Sequence, residues 1–282
     1  MLAVALALAS SLSWGLADFL GGLQSRRQAL VAVLWVSQGS ALLVLLAVVA
    51  SGVPSEHDAA ATAWGAAAGL VGLCGLAAFY RALSIGTMSI VAPLSATGTV
   101  IPVLAGLASG DRPSVLQAAG MALAAFGVVL AAREAPGEDA AARRATRRSI
   151  VLALAAAVGF GSFLTMLDRA EETADVAWVL LAARVPDVAV LTLVVLVRRP
   201  ALPADRTAVA ALLAVGGFDL LANLMFAVAA GEGLLSVVGV LGSLYPAVTV
   251  VLARMLLHER PTVVQDAGVV VTLAGVVAIA AG

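Results

Sequence analysis

The chain has 282 residues, of which 62% are apolar and 12% charged, with a formal net charge of −1 and a mean hydropathy of +1.07. That balance excludes a water-soluble globular domain of this length, and the near-neutral charge carries no footprint for nucleic acid. There is no lysine and one cysteine, which excludes a P-loop, a lysine Schiff base, a lysine general base and an intrachain disulfide, and with them ATP-driven work by this chain alone.

Apolar runs of about 20 residues recur along the chain, each long enough to cross roughly 30 Å of hydrocarbon. They are apolar all round and do not alternate over ten-residue segments, so they predict helices rather than the strands of a barrel. In chain order the predicted spans are 2–23, 29–50, 60–83, 88–108 and 113–132, then 150–167, 176–197, 208–230, 234–257 and 261–281. The first run lacks leading basic residues and continues past Trp14, which reads as a retained span rather than a cleaved secretory signal. Cys74 lies inside the third run, where a small hydrophobe in the packing is expected. The polar stretch from Arg133 to Arg148, with Pro136 and Gly137, divides the chain into a first unit 1–133, a basic linker 134–148 and a second unit 149–282.

The two units repeat. Arg112-Pro113-Ser114-Val115-Leu116-Gln117-Ala118-Ala119-Gly120 aligns with Arg260-Pro261-Thr262-Val263-Val264-Gln265-Asp266-Ala267-Gly268, and Gly127-Val128-Val129 with Gly275-Val276-Val277. Upstream, Gly86 and Ser89 fall on Gly233 and Ser236, Gln38 on Arg184, and Trp14-Gly15 on Phe160-Gly161. Five spans is an odd number, so the second copy enters the membrane from the opposite side. The predicted fold is therefore all-α and integral to the membrane, ten transmembrane helices as two inverted repeats, an arrangement common among solute carriers. Thirteen arginines fall in the loops after spans one, three, five, seven and nine, against Arg112 and Arg169 on the other side. The positive-inside rule then predicts a multi-pass protein of the inner membrane with its linker cytoplasmic and both termini outside.

Ser13-Trp14-Gly15, Phe79-Tyr80-Arg81-Ala82-Leu83, and Glu259-Arg260-Pro261 with Gly268 and Gly275 resemble the EamA-type members of the drug/metabolite transporter superfamily. The resemblance covers nearly the whole chain. It implies a basket of helices around a central cavity lined by spans one, three, four, six, eight and nine, with the fifth and tenth peripheral. The substrates it implies are amino acids, metabolites, nucleotide sugars or toxic organic compounds. Two departures stand out: the N-terminus is not basic, and the first repeat has Gly110-Asp111 where the second has His258-Glu259.

Ionisable groups at membrane depth cost about 2.5–3.5 kcal/mol on insertion scales and so mark candidate sites. Asp219 lies mid-span with Asn223 one turn later on the same face, suited to a polar solute or a proton. Arg184 has Asp187 at i+3, which predicts an internal ion pair; its repeat partner Gln38 favours instead a site facing the bundle interior, where Arg184 holds an anionic group. Asp18 lies near the end of the first span, and either binds solute or reaches the headgroups. Arg81 and Arg254 are expected to snorkel as anchors. The fourth span carries Pro93, Gly98 and Pro102, and the ninth Gly239, Gly242 and Pro246 beside Ser243 and Tyr245, so both are interrupted and are candidate site walls. Trp14, Trp35, Tyr80, Phe160 and Tyr245 supply faces for stacking or interfacial anchoring. His57 and His258 fall in loops on opposite sides, which excludes a shared metal site, and no catalytic cluster or cofactor motif is present.

The sequence therefore predicts a secondary transporter, not an enzyme, moving a small amino-acid-like or organic solute by alternating access, with export and proton coupling through Asp219. An uncoupled facilitator and a non-transporting scaffold or sensor are the alternatives.

Overall fold

The computed structural model describes residues 1–53, 56–108, 110, 112–133 and 140–282. Asp111, Pro136 and Gly137 lie outside these residues, as do the side chains of Leu235 and Ser236. The described residues are helical, with no strand among them. The first repeat comprises α1 (Leu2–Ser25), α2 (Leu30–Ala50), α3 (Ala59–Ile85), α4 (Met88–Ala96), α5 (Val100–Ala108) and α6 (Val115–Ala131). The second comprises α7 (Ala140–Glu171), α8 (Val176–Arg198), α9 (Arg206–Glu232), α10 (Leu235–Gly242), α11 (Tyr245–Leu256) and α12 (Val263–Ala281). Helix α4 and α5 together form the fourth span, and α10 and α11 the ninth. Nine spans among the described residues are long and apolar enough to cross a bilayer, and α6 is the shorter tenth.

Local chemistry sets the ends. Ser114 with Gln117, and Thr262 with Gln265, form reciprocal capping boxes at the starts of α6 and α12, as the repeated motif requires. Asp58 and Asp205 cap α3 and α9. The interruptions fall where the proline and glycine residues lie: a 3₁₀ turn at Thr97–Thr99 separates α4 from α5, and Ser243-Leu244 separates α10 from α11, whose first turn contains Pro246. Helix α7 starts at Ala140, ten residues before the predicted span. The arginine-rich half of the linker is thus a polar helical extension of that span.

Packing pairs come in twos, as an inverted repeat demands. Helix α1 packs along α9 and α3 along α7; α2 contacts α9 and α8 contacts α3; α1 meets α10 and α11, and α7 meets α4 and α5. The contacts match at residue level. A Cβ on Gly15 would lie 2.8 Å from the Tyr245 carbonyl, and one on the corresponding Gly161 would lie 2.6 Å from the Ile101 side chain in the other broken span. Helices α6 and α12 pack against each other through the repeated glycines: a Cβ on Gly120 would lie 2.8 Å from the Gly275 oxygen, and one on Gly127 2.8 Å from the Gly268 oxygen. In lipid, where apolar burial drives little helix association, such backbone approach supplies the dispersion contacts that hold two helices together.

Cys74 departs from its expected place in the packing and is exposed on α3. A helix apolar all round gives no sequence signal for which face turns to lipid. The bundle has one end that carries Arg26, Gly86, Arg199 and Glu259, termed the linker face, and an opposite, terminal face that carries Met1, Glu56, Asp175 and Gly282.

Candidate functional site

Arg184 leaves α8 near mid-length and reaches two neighbouring helices. Its guanidinium donates to the Gln38 side-chain oxygen on α2 and forms an ion pair with Asp219 on α9. Gln38 is buried, and the Arg184 and Asp219 side chains are 14% and 27% exposed. Gln38 and Arg184 correspond in the repeat, and two corresponding residues can touch only where both approach the pseudo-two-fold axis. Asp219 satisfies the guanidinium that Gln38, being neutral, only hydrogen-bonds.

The i+3 pair of Arg184 with Asp187 is replaced by this interhelical one. Side chains on a helix lean toward its N-terminus, so the long Arg184 side chain moves away from a residue one turn ahead and toward α9 at its flank. Asp187 is itself buried, and its Oδ1 has no hydrogen-bond partner. Asn223 donates to the Asp219 backbone carbonyl at 2.7 Å, which keeps the two polar groups on one face of α9.

Helix α1 contributes the facing wall. Trp14 and Asp18 are one turn apart on the same side. The Trp14 ring lies 5.6 Å from Phe226 of α9 in a tilted pair and 6.0 Å from Tyr245 of α11 edge-on. Asp18 lies within electrostatic reach of Asp219, Tyr80 and Tyr245. Tyr80 of α3 is buried and also within reach of Arg184 and Asp219, and its ring sits on α1, where a Cβ on Gly21 would lie 2.7 Å from Cε1. Charged and aromatic groups from α1, α2, α3, α8, α9 and α11 thus converge, with the Arg184 guanidinium near the carboxylates of Asp187 and Asp219, and Asp18 within reach of Asp219.

Of the residues selected from the sequence, Trp14, Asp18, Gln38, Tyr80, Arg184, Asp219, Asn223 and Tyr245 are brought together. Phe160 instead packs edge-on against Phe79 at 5.5 Å within the apolar core, and the Ser243 hydroxyl donates to the Val240 carbonyl of its own helix at 2.8 Å. Trp35 is tied to Thr192 through its indole N–H at 2.9 Å. His57 stacks on Trp178 at 3.6 Å, and Arg254 pairs with Asp266 at 2.6 Å rather than standing alone as an anchor. The resemblance does not implicate spans two and seven in the lining, yet they supply Gln38 and Arg184. Phe226 was not singled out from the sequence. Its signal is the spacing of Asp219, Asn223 and Phe226 at i, i+4 and i+7, one stripe of α9.

The sequence model of the EamA-like transporter family matches residues 1–133 and 147–281, once per repeat. No curated protein matches the chain significantly. Among solved structures, one crystal structure superimposes with a TM-score of 0.64 over 98% of this chain and 95% of its own, at 17% identity. A likeness at that identity extends to the fold.

Proposed function

From the membership of this chain in the EamA-like transporter family, a membrane transporter family of the drug/metabolite superfamily, we propose that it moves a small amino-acid-like or organic solute by alternating access between its two repeats. The observation that carries this reading is the Arg184–Asp219 pair with Gln38, held between α2, α8 and α9 beside the aromatic group of Trp14, Phe226 and Tyr245. Arg184 is suited to a carboxylate, the surplus carboxylates to an ammonium or a proton, and the rings to an apolar side chain. A solute carboxylate that takes Arg184 releases Asp219, for which the solute's ammonium and a proton then compete, so that one leaves the site as the other enters. This exchange couples the two fluxes. The direction we assign is export, and the membrane we assign is the inner membrane, with the linker cytoplasmic.

One observation favours a second reading, an uncoupled facilitator: the ion pair to Arg184 already neutralises Asp219 without a proton. Proteoliposome flux separates the two. With labelled solute inside, an imposed pH gradient accelerates exit through the parent protein and leaves Asp219→Asn unaffected, while counterflow under equal pH persists in both. Equal acceleration of both proteins rejects coupling through Asp219, and no flux in either condition rejects transport of that solute. Uptake and exit rates of the same solute in whole cells test the direction.

A further inference from the structure

On the linker face, one carboxylate of the second repeat gathers three segments of the first. Glu259 lies in the connection between α11 and α12. His258 precedes it at φ +55°, in the left-handed region that non-glycine residues seldom adopt. The turn carries the Glu259 side chain to the start of α4. There Oε1 accepts from the Met88 N–H at 2.9 Å, and Oε2 accepts from the Ser89 N–H and hydroxyl, each at 2.8 Å. Arg26, just past α1, donates to Oε1 at 3.3 Å. The same guanidinium donates to the carbonyls of Leu83 at 3.1 Å and Gly86 at 2.9 Å, where α3 ends. The Glu259 side chain is 11% exposed.

Each partner of this carboxylate belongs to the other repeat. The α4 amides are among those a helix leaves unpaired at its start, and a negative charge there is favoured by the helix dipole as well. The Arg254–Asp266 pair on the same face differs in kind: both residues are in the second repeat, and both side chains are more than a third exposed.

We propose that Glu259 is the positioning residue of a gate on the linker face, holding the two repeats together while that face is closed and releasing α4 and Arg26 when it opens. The proposal rests on the alternating-access reading above. The physical reason for two discrete states is hydration. With the face closed, parting the largely buried Glu259 from its donors strands a carboxylate and the two α4 amides without partners, which is costly, while Arg26 keeps only the Leu83 and Gly86 carbonyls. Once water floods the gap, every one of them is solvated. Small separations that admit no water are therefore the worst arrangement, and the contact is either made or fully broken. Ser25, beside Arg26, is buried in the closed state with its hydroxyl unpartnered, so its position reads the seal from within.

The test uses the purified full-length chain with Cys74→Ala and a single new cysteine, either Ser25→Cys near the linker face or Ser11→Cys in the half of α1 toward the terminal face; both positions are buried. The rate of alkylation by a water-soluble maleimide is followed without substrate. Glu259→Gln is expected to raise the Ser25→Cys rate about tenfold, within the usual range of a coupling between conformations, and to lower the Ser11→Cys rate. Arg26→Gln, which leaves the α4 cap in place, shifts both rates in the same directions by less, and Arg254→Gln shifts neither. A general loosening of the fold raises both cysteine rates together; that result, or no change in either, overturns the gate. Either leaves the transport reading standing, because flux is measured separately in liposomes.

Discussion

Gln38 and Arg184 hold corresponding positions in the two repeats and hydrogen-bond to each other across α2 and α8. The duplication began with equivalent sites at this point near the axis, and the present chain carries a neutral amide in one copy and a cation in the other. The asymmetry requires Asp219 as counter-charge. Arg184→Gln makes the two copies alike but leaves Asp219 without its partner, and a broken buried pair costs about 3 kcal/mol at the low end, suited to a carboxylate that keeps some exposure. The double variant Arg184→Gln/Asp219→Asn removes the stranded charge and is expected to recover most of that loss. Unfolding of the four proteins in detergent closes the double-mutant cycle, and strictly additive losses would contradict the pairing.

The glycines shared by α6 and α12 set a second expectation. A Cβ on Gly275 would lie 2.7 Å from the Gly120 carbonyl oxygen, whereas one on Gly217 of α9 meets nothing within 4 Å. Gly275→Leu forces the helices apart and is expected to destabilise the bundle by about 1–3 kcal/mol, in line with overpacking elsewhere. Gly217→Ala is expected to leave stability unchanged or raise it by up to about 1 kcal/mol through helix propensity. Thermal unfolding in one detergent checks both.

The spans, their number, the repeat and the two broken helices were legible in the sequence, because a bilayer demands long apolar runs and a duplication leaves glycine and proline residues in register. The placement of polar Gln38 and Arg184 at one depth, facing the bundle interior, was legible through that register. The partner of Arg184 was not: Asp187 is its neighbour along the helix, but Asp219, on another helix, is the one it touches, and helix rotation decides which side chains face each other. Cys74 was misplaced for the same reason, since α3 is apolar on every face. Glu259 was visible only as part of a family motif. That its carboxylate would cap α4 and bind Arg26 depends on a turn at His258 that no local pattern announces.

Asp58 gives a pH dependence outside the membrane. The Ala61 N–H donates to its carboxylate at 2.6 Å as the α3 cap, and this bond is the largest of the causes that hold its carboxyl below the usual range; Thr173 and the charge of His57 act in the same sense. A carboxyl lowered on folding contributes stability above its unfolded value and loses it as pH falls through the folded one. The gap in unfolding temperature between the parent and Asp58→Ala is therefore expected to be full at neutral pH and to close below about pH 4. A gap that stays constant down to pH 3 would assign the effect to something other than this titration.

Orientation is open to a direct check. With the arginines of the linker face inside, alkaline phosphatase fused after Gly282 is expected to be active and a fluorescent protein at the same point dark, with the reverse for fusions in the 198–206 connection. The opposite pattern would invert the topology, and with it the side on which the Glu259 gate opens.

The most direct measurement of the central claim, that the group around Arg184 and Asp219 binds the solute, is a thermal-shift screen in detergent. Amino acids, amines, nucleotides, sugars and organic cations are tested against the parent chain, Arg184→Gln and Asp219→Asn. A ligand at a hundred times its Kd adds about 2.7 kcal/mol to folded-state stability, enough to read as a clear shift. At least one amino-acid-like or organic solute is predicted to raise the unfolding temperature of the parent, to lose that effect in Arg184→Gln and to keep a weaker one in Asp219→Asn, as counterflow through that variant requires. A solute that stabilises all three equally, or a screen in which none stabilises the parent, would contradict the assignment.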